Sequence, residues 1–271
     1  MIRGLVVLAL ALAACGGMAA QAPAPLPADT PAPASRFTPG QFQIVPTPPP
    51  ATPTPSAGPS RTPYPSPSVP AGSLRYVAIG ASDTTGVGAT DPAKGSWPAL
   101  LAARLPSGAT YTNLGVSGSL ARQAAAAQVP RAVLADPTVV TIWLAVNDLD
   151  AQVDAAAYSG DMRGVIDPLL AGTQAQLFIG NVPDLRSLPA YAGADKLALA
   201  RSIDQYNAII SGLVLRARDR ITIVDLSSGS ADLMSGATVA SDGFHPSDAG
   251  HRLIADRFAA ALRARGIVAG P

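Results

Sequence analysis

Residues 138–148 read TVVTIWLAVND. The first nine are apolar or β-branched without a break, the composition of a strand buried on both faces. The run then ends in Asn147-Asp148, two polar residues placed where a strand would reach the edge of its sheet. Working outward, three shorter runs have the same character, LRYVAIG at 74–80, AQLFIG at 175–180 and ITIVDL at 221–226, and TYTN at 110–113 reads as a short further strand. Between and after them the apolar residues take helical spacing, over 97–105, 120–134 (interrupted at Pro130), 155–170, 195–218 and 247–265. Strand and helix alternate, so the expected architecture is a parallel sheet with helices on both faces, joined by right-handed crossovers. In such α/β folds ligands bind beyond the carboxyl ends of the strands, at a topological switch point. Residues that follow strands are therefore the ones to search for chemistry.

The remainder of the 271-residue chain divides by composition. Residues 1–15 combine Arg3 with the short apolar run 5–12 and end in Leu12-Ala13-Ala14-Cys15. The run is too short to span a hydrocarbon core of ~30 Å and fits the h-region of a secretory signal. Residues 16–72 are rich in proline, with 17 of the 27 prolines between 21 and 70. Proline fixes φ and removes a donor, so this stretch is expected to be a semi-extended spacer rather than helix or sheet. Residues 73–271 are then the folded domain, long enough to bury a sizeable core.

Charge and residue usage exclude several functions. The net charge is +1 with no basic cluster, which argues against nucleic acid as a partner. Cys15 is the only cysteine and His245 and His251 are the only histidines, so a metal site built on several His and Cys ligands is not expected, nor is an internal disulfide. Glutamate is absent, and all 18 carboxylate side chains are aspartates. The glycines of Gly86-Val87-Gly88 match neither a dinucleotide fingerprint nor a Walker A loop. No cofactor is implied.

Four short blocks lie at predicted strand ends or a helix start: Gly80-Ala81-Ser82-Asp83-Thr84, Asn113-Leu114-Gly115, Ala145-Val146-Asn147-Asp148 and Asp242-Gly243-Phe244-His245-Pro246. A serine hydroxyl needs a base to become a nucleophile. His245 sits in a Gly- and Pro-flanked loop and is free to enter a cleft, whereas His251 falls inside the last helix and reads as a packed residue. Asp242, three residues before His245, can reach the distal imidazole nitrogen and hold its tautomer; Asp225, at the end of the fifth strand, is its competitor. Asp148 reads as a helix cap. Residues 181–185, after the fourth strand, border the same rim.

In this order the four blocks resemble those of the SGNH, or GDSL-type, hydrolases, over residues 76 to about 255. The resemblance implies a three-layer α/β/α domain with a five-stranded parallel flavodoxin-like sheet. It also implies a serine esterase with Ser82, Asp242 and His245 as catalytic residues and an oxyanion hole made by Ser82, Gly115 and Asn147. The tetrapeptide ending in Cys15 resembles the bacterial lipobox. That implies a protein lipid-anchored outside the cell membrane or in the periplasm; the family resemblance implies a small-molecule, glycan or lipid ester as substrate, and a monomer is expected. Two departures stand out. The family's Gly-Asp-Ser is Gly80-Ala81-Ser82, followed by Asp83, and the usual glycine of the third block is Ala145. They keep one rival reading in view, a non-catalytic surface protein that binds glycan or lipid on a hydrolase fold.

Overall fold

The computed structural model describes residues 74–230, 234 and 236–268. The expected signal, Cys15 and the proline-rich spacer lie outside the described residues.

Five parallel strands form one sheet: β1 (Arg75–Gly80), β2 (Thr110–Asn113), β3 (Val139–Trp143), β4 (Gln176–Gly180) and β5 (Ile221–Val224), in the spatial order β2-β1-β3-β4-β5. Side chains alternate across a strand, so β1, β3, β4 and β5 each feed two cores, while β2 at the sheet edge is largely exposed. Val77, Ile79, Val140, Ile142, Leu177 and Ile179 face one side. Tyr76, Ala78, Val139, Trp143 and Phe178 face the other. This two-sided burial is why the strands read as continuous apolar runs rather than as alternating ones.

The helices complete three layers. α1 (Ser82–Thr85), α2 (Pro92–Gly95) and α3 (Trp97–Ala102) follow β1; α4 (Ala121–Ala127) and α5 (Val129–Leu134) follow β2; α6 (Val146–Asp150) and α7 (Ala155–Gly172) follow β3; α8 (Lys196–Val214) follows β4, and α9 (Asp248–Ala264) closes the domain. Trp97 of α3 stacks on Phe258 of α9, with ring centroids 4.4 Å apart. Tyr158 of α7 stacks on Tyr206 of α8 at 4.0 Å on the opposite face. Asp154, Asp195 and Ser247 each accept backbone N–H groups at the starts of α7, α8 and α9, contributing about 1 kcal/mol apiece.

The expected architecture holds, and the differences lie at element ends. β3 stops at Trp143, three residues before the apolar run does, because Ala145 takes φ 147° and turns the chain into α6. Leu144 and Leu149 stay buried beyond the strand, so hydrophobicity alone could not mark its end. The helix expected over 195–218 ends at Val214. In the order 2-1-3-4-5 the connections leave β1 and β3 in opposite directions, which opens the switch-point crevice between their carboxyl ends.

Candidate active site

Ser82 and Asn147 leave the two strands that flank this crevice, Ser82 opening α1 after β1 and Asn147 lying in α6 after β3. The loop carrying His245 enters the crevice from the far end of the sequence. Its shape is set by Asp242, whose Oδ1 accepts the N–H groups of Phe244 and His245 at 2.9 and 3.0 Å. Gly243 takes φ 73°, and a Cβ there would lie 2.8 Å from Pro189, so the turn requires glycine. The backbone closes the loop through Ala240 N–H to His245 O (2.8 Å) and Ala190 N–H to Gly243 O (3.1 Å). Phe244 meets the His245 ring edge-on at 4.8 Å.

The result is one chain of hydrogen bonds. His245 Nδ1 lies 2.5 Å from Asp242 Oδ2, and His245 Nε2 lies 2.9 Å from Ser82 Oγ. Burial pushes the Asp242 carboxyl up, but the His245 ring and the two backbone N–H donors outweigh it and hold the group below its ordinary value. An ionised carboxylate accepts only, so Nδ1 carries the proton and Nε2 is left to accept from the Ser82 hydroxyl. Ser82 and His245 are buried, at 5 and 6 % exposure, which strengthens electrostatic interactions between them.

The other titratable candidates are engaged elsewhere. Asp225 accepts from Asn181 Nδ2 and from the N–H groups of Ser227 and Ser228; the Ser228 side chain first, and then these bonds, hold its pKa at about 2. His251 accepts the Trp97 N–H at Nδ1 and donates from Nε2 to Val87 O, fixing α9 to α3 and to the loop after α1. Asp184 pairs with Arg186. Asp83, next to Ser82, accepts the Thr84 N–H at 2.7 Å; burial pushes its pKa up to about 6, against that hydrogen bond and the His245 charge. Among the described residues no three side chains come together as a metal site.

Asp148 caps a helix, though not its own: both carboxyl oxygens accept the Ala121 N–H at the start of α4. It is fully buried, and burial pushes its pKa up to about 7, with Asp161 adding to the rise and the Ala121 N–H opposing it. The folded state thus binds a proton that the unfolded chain, near 3.8, has released. Asp148 therefore costs stability as pH rises from about 4 to 7. Relative to Asp148→Asn, wild-type stability is expected to fall by about 2 kcal/mol between pH 5 and pH 8. Thermal melts of both proteins at the two pH values check this, and a constant difference would contradict it.

The expectation for Gly115 needs correction. Its N–H donates to Asn113 Oδ1 at 2.9 Å and is not free to face the crevice. In the next four residues, Ser119 N–H bonds Val116 O at 3.0 Å, with Gly118 at φ 76° between them. That is a tight turn whose third position favours glycine. Asn147 Nδ2 donates to the carbonyl of Ser119 at 3.1 Å, which ties α6 to this turn. The N–H of Ser82, the N–H of Gly118 and the second hydrogen of the Asn147 amide have no hydrogen-bond partner among the described residues. A second residue missed from sequence is Gln128. It is buried, its Oε1 accepts the Gly80 N–H, and its Nε2 donates to Gly80 O and to Ser119 Oγ, all at 3.0–3.2 Å. It locks the end of β1 to the turn that carries Gly118, and in an alanine-rich helix it reads as an ordinary surface residue.

Beside Ser82 and His245 opens a cavity of about 60 Å³. Its wall is mostly apolar and includes Trp143, Ala145, Leu185, Leu188, Val239 and Phe244. One water needs about 10–15 Å³ of such space, so the cavity takes roughly four to six water-sized groups.

Known proteins share this fold. Residues 78–253 match the model of the GDSL-like Lipase/Acylhydrolase family. No curated protein matches the chain. Among solved structures, TesA is similar with a TM-score of 0.57 at 20% identity, over 71% of this chain and 99% of that one. A catalytic mutant of Axe2, an acetylxylan esterase from Geobacillus stearothermophilus, gives 0.58 at 21% identity, over 74% and 99%. A family 3 carbohydrate esterase of Clostridium thermocellum gives 0.56 at 21%, over 73% and 100%. At these identities the structures speak for the fold, and the family model speaks for the chemistry. The chain belongs to the GDSL-like lipase/acylhydrolase family and is an SGNH-type carboxylic ester hydrolase.

Proposed function

We propose that the chain cleaves a short-chain carboxylic ester through a covalent acyl-Ser82 intermediate. The observation that carries this reading is the unbroken path from Asp242 Oδ2 through His245 to Ser82 Oγ, with contacts of 2.5 and 2.9 Å. Ser82 Oγ attacks the ester carbonyl carbon while its proton passes to His245 Nε2, and Asp242 stabilises the imidazolium that forms. The oxyanion of the tetrahedral intermediate accepts from the Ser82 N–H, the Asn147 side-chain amide and the Gly118 N–H. Collapse breaks the carbon–oxygen bond, and the departing alcohol takes the proton from His245. Water, deprotonated by the same imidazole, then releases the acid and restores Ser82. The intact path from Asp242 to Ser82 favours this reading over non-catalytic binding. The solved relatives that are an acetylxylan esterase and a family 3 carbohydrate esterase make an acetylated carbohydrate a substrate to test first.

Mixing the full chain with p-nitrophenyl acetate is expected to release a burst of nitrophenol stoichiometric with enzyme. Ser82→Ala should abolish both burst and turnover, and retained turnover in that variant would refute the mechanism. Asn147→Ala removes one of three oxyanion donors and is expected to lower kcat by about 10²–10³-fold, with the melting temperature as the check on folding.

The location is also proposed from sequence: Cys15 carries lipid and the proline-rich spacer holds the domain off the outer face of a membrane. Each buried methylene of an acyl chain contributes ~0.8 kcal/mol, so more than one chain gives stable anchoring. Cys15→Ser should move the protein from the membrane to the soluble fraction and abolish incorporation of labelled palmitate.

A further inference from the structure

Ala145 has a backbone that its side chain opposes. Its φ is 147° and its ψ −40°, a region in which a Cβ is crowded and glycine is relaxed. Such residues persist where the surrounding structure over-determines them, and they gather at functional sites. Ala145 is 2 % exposed and forms part of the cavity wall beside Ser82. The cavity is small, at about 60 Å³, room for roughly four to six water-sized groups, and a methyl group is about one such group. One methyl at this position therefore takes the room of about one more acyl carbon. The wall also holds the larger side chains of Trp143 and Leu188, both buried in the core, where truncation would leave a void that the packing closes over.

We infer that the Ala145 methyl sets the acyl-length limit of the site, restricting it to esters of two- or three-carbon acids, and that the strained backbone is retained for that purpose. The inference rests on the acyl-Ser82 reading and deepens it by naming the acid part of the substrate. Glycine at 145 would release the strain and lengthen the cavity in one step, so stability and specificity should move together.

The test compares the full wild-type chain with Ala145→Gly in two measurements. The first is the melting temperature, expected to rise by about 2–4 °C on release of the strain. The second is kcat/KM for p-nitrophenyl acetate, butyrate and hexanoate. The butyrate-to-acetate ratio is expected to rise at least about fourfold, the worth of one buried methylene. A melting temperature that is unchanged or lower would show that the backbone was not strained, and the inference would fall. A higher melting temperature with an unchanged ratio would show that the methyl does not face the acyl end, with the same consequence. Loss of acetate turnover in the folded variant would overturn it too, since Ala145 would then act by holding Asn147. If the wild type turned over none of the three esters, the hydrolytic reading itself would fail and take the inference with it; the melting temperatures would separate that case from the others.

Discussion

Replacing His245 with alanine is expected to lower kcat/KM by about 10⁴–10⁶-fold, because members of a nucleophile–base pair act as a unit. Among the described residues the Ser82 hydroxyl has no other base in contact: Asp83 spends its Oδ1 on the Thr84 N–H, and His251 has both ring nitrogens committed, to Trp97 and Val87. Removing the imidazole leaves a neutral alcohol with nothing to take its proton. The backbone bonds that hold the loop, from Ala240 to His245 O and from Asp242 Oδ1 to residue 245 N–H, do not involve the ring. The variant should therefore fold, and circular dichroism with a thermal melt separates loss of chemistry from loss of structure. Turnover within tenfold of wild type would mean that another base serves Ser82.

Asp242→Asn is expected to cost about 10⁴-fold in kcat, the scale seen when a triad carboxylate becomes an amide. The argument lies in the tautomer. The asparagine carbonyl can keep the Asx turn by accepting the Phe244 and His245 N–H groups, as Asp242 Oδ1 does now. Its amide nitrogen would then face His245 Nδ1, and donor would meet donor unless the ring moved its proton to Nε2. In that form Nε2 can no longer accept from Ser82 Oγ, although the geometry looks unchanged. The pH dependence of stability has a defined sign as well. Since the folded-state pKa of Asp242 is depressed, its carboxylate contributes stability above its unfolded value that is lost as pH falls through the folded one. The stability gap between wild type and Asp242→Asn should close at strongly acid pH.

The fold was legible because both faces of the sheet are buried. Residues 138–143 and 175–180 could only be central strands of a covered sheet, and polar caps such as Asp195 and Ser247 stood before helical periodicity. The end of β3 was not legible, since Leu144, Ala145 and Leu149 are buried and continue the apolar signal past the strand. Four-residue helices such as α1 and α2 carry too little periodicity to be read. At the site, the spacing of Asp242 and His245 within one turn announced their contact. The choice between Gly115 and Gly118 could not be made from composition, because both lie in the seven residues Asn113–Ser119. What separates them is that the Asn113 side chain claims one N–H while the turn leaves the other unclaimed. Gln128 was missed for a related reason: a polar residue among alanines gives no sign of burial, and its two-way bond to Gly80 spans 48 positions of sequence. The wall formed by Leu185 and Leu188 belongs to a loop folded by local turns, with no motif to describe it.

The central claim is that Ser82 is an activated nucleophile, and a fluorescent fluorophosphonate reads it directly, because the probe bonds only to a serine whose proton is taken by a base. The full chain should label in proportion to active enzyme, with the phosphonyl group located by mass spectrometry on the peptide containing Ser82, and Ser82→Ala should not label. Absence of labelling in a well-folded wild type, or labelling that persists in Ser82→Ala, would contradict the account.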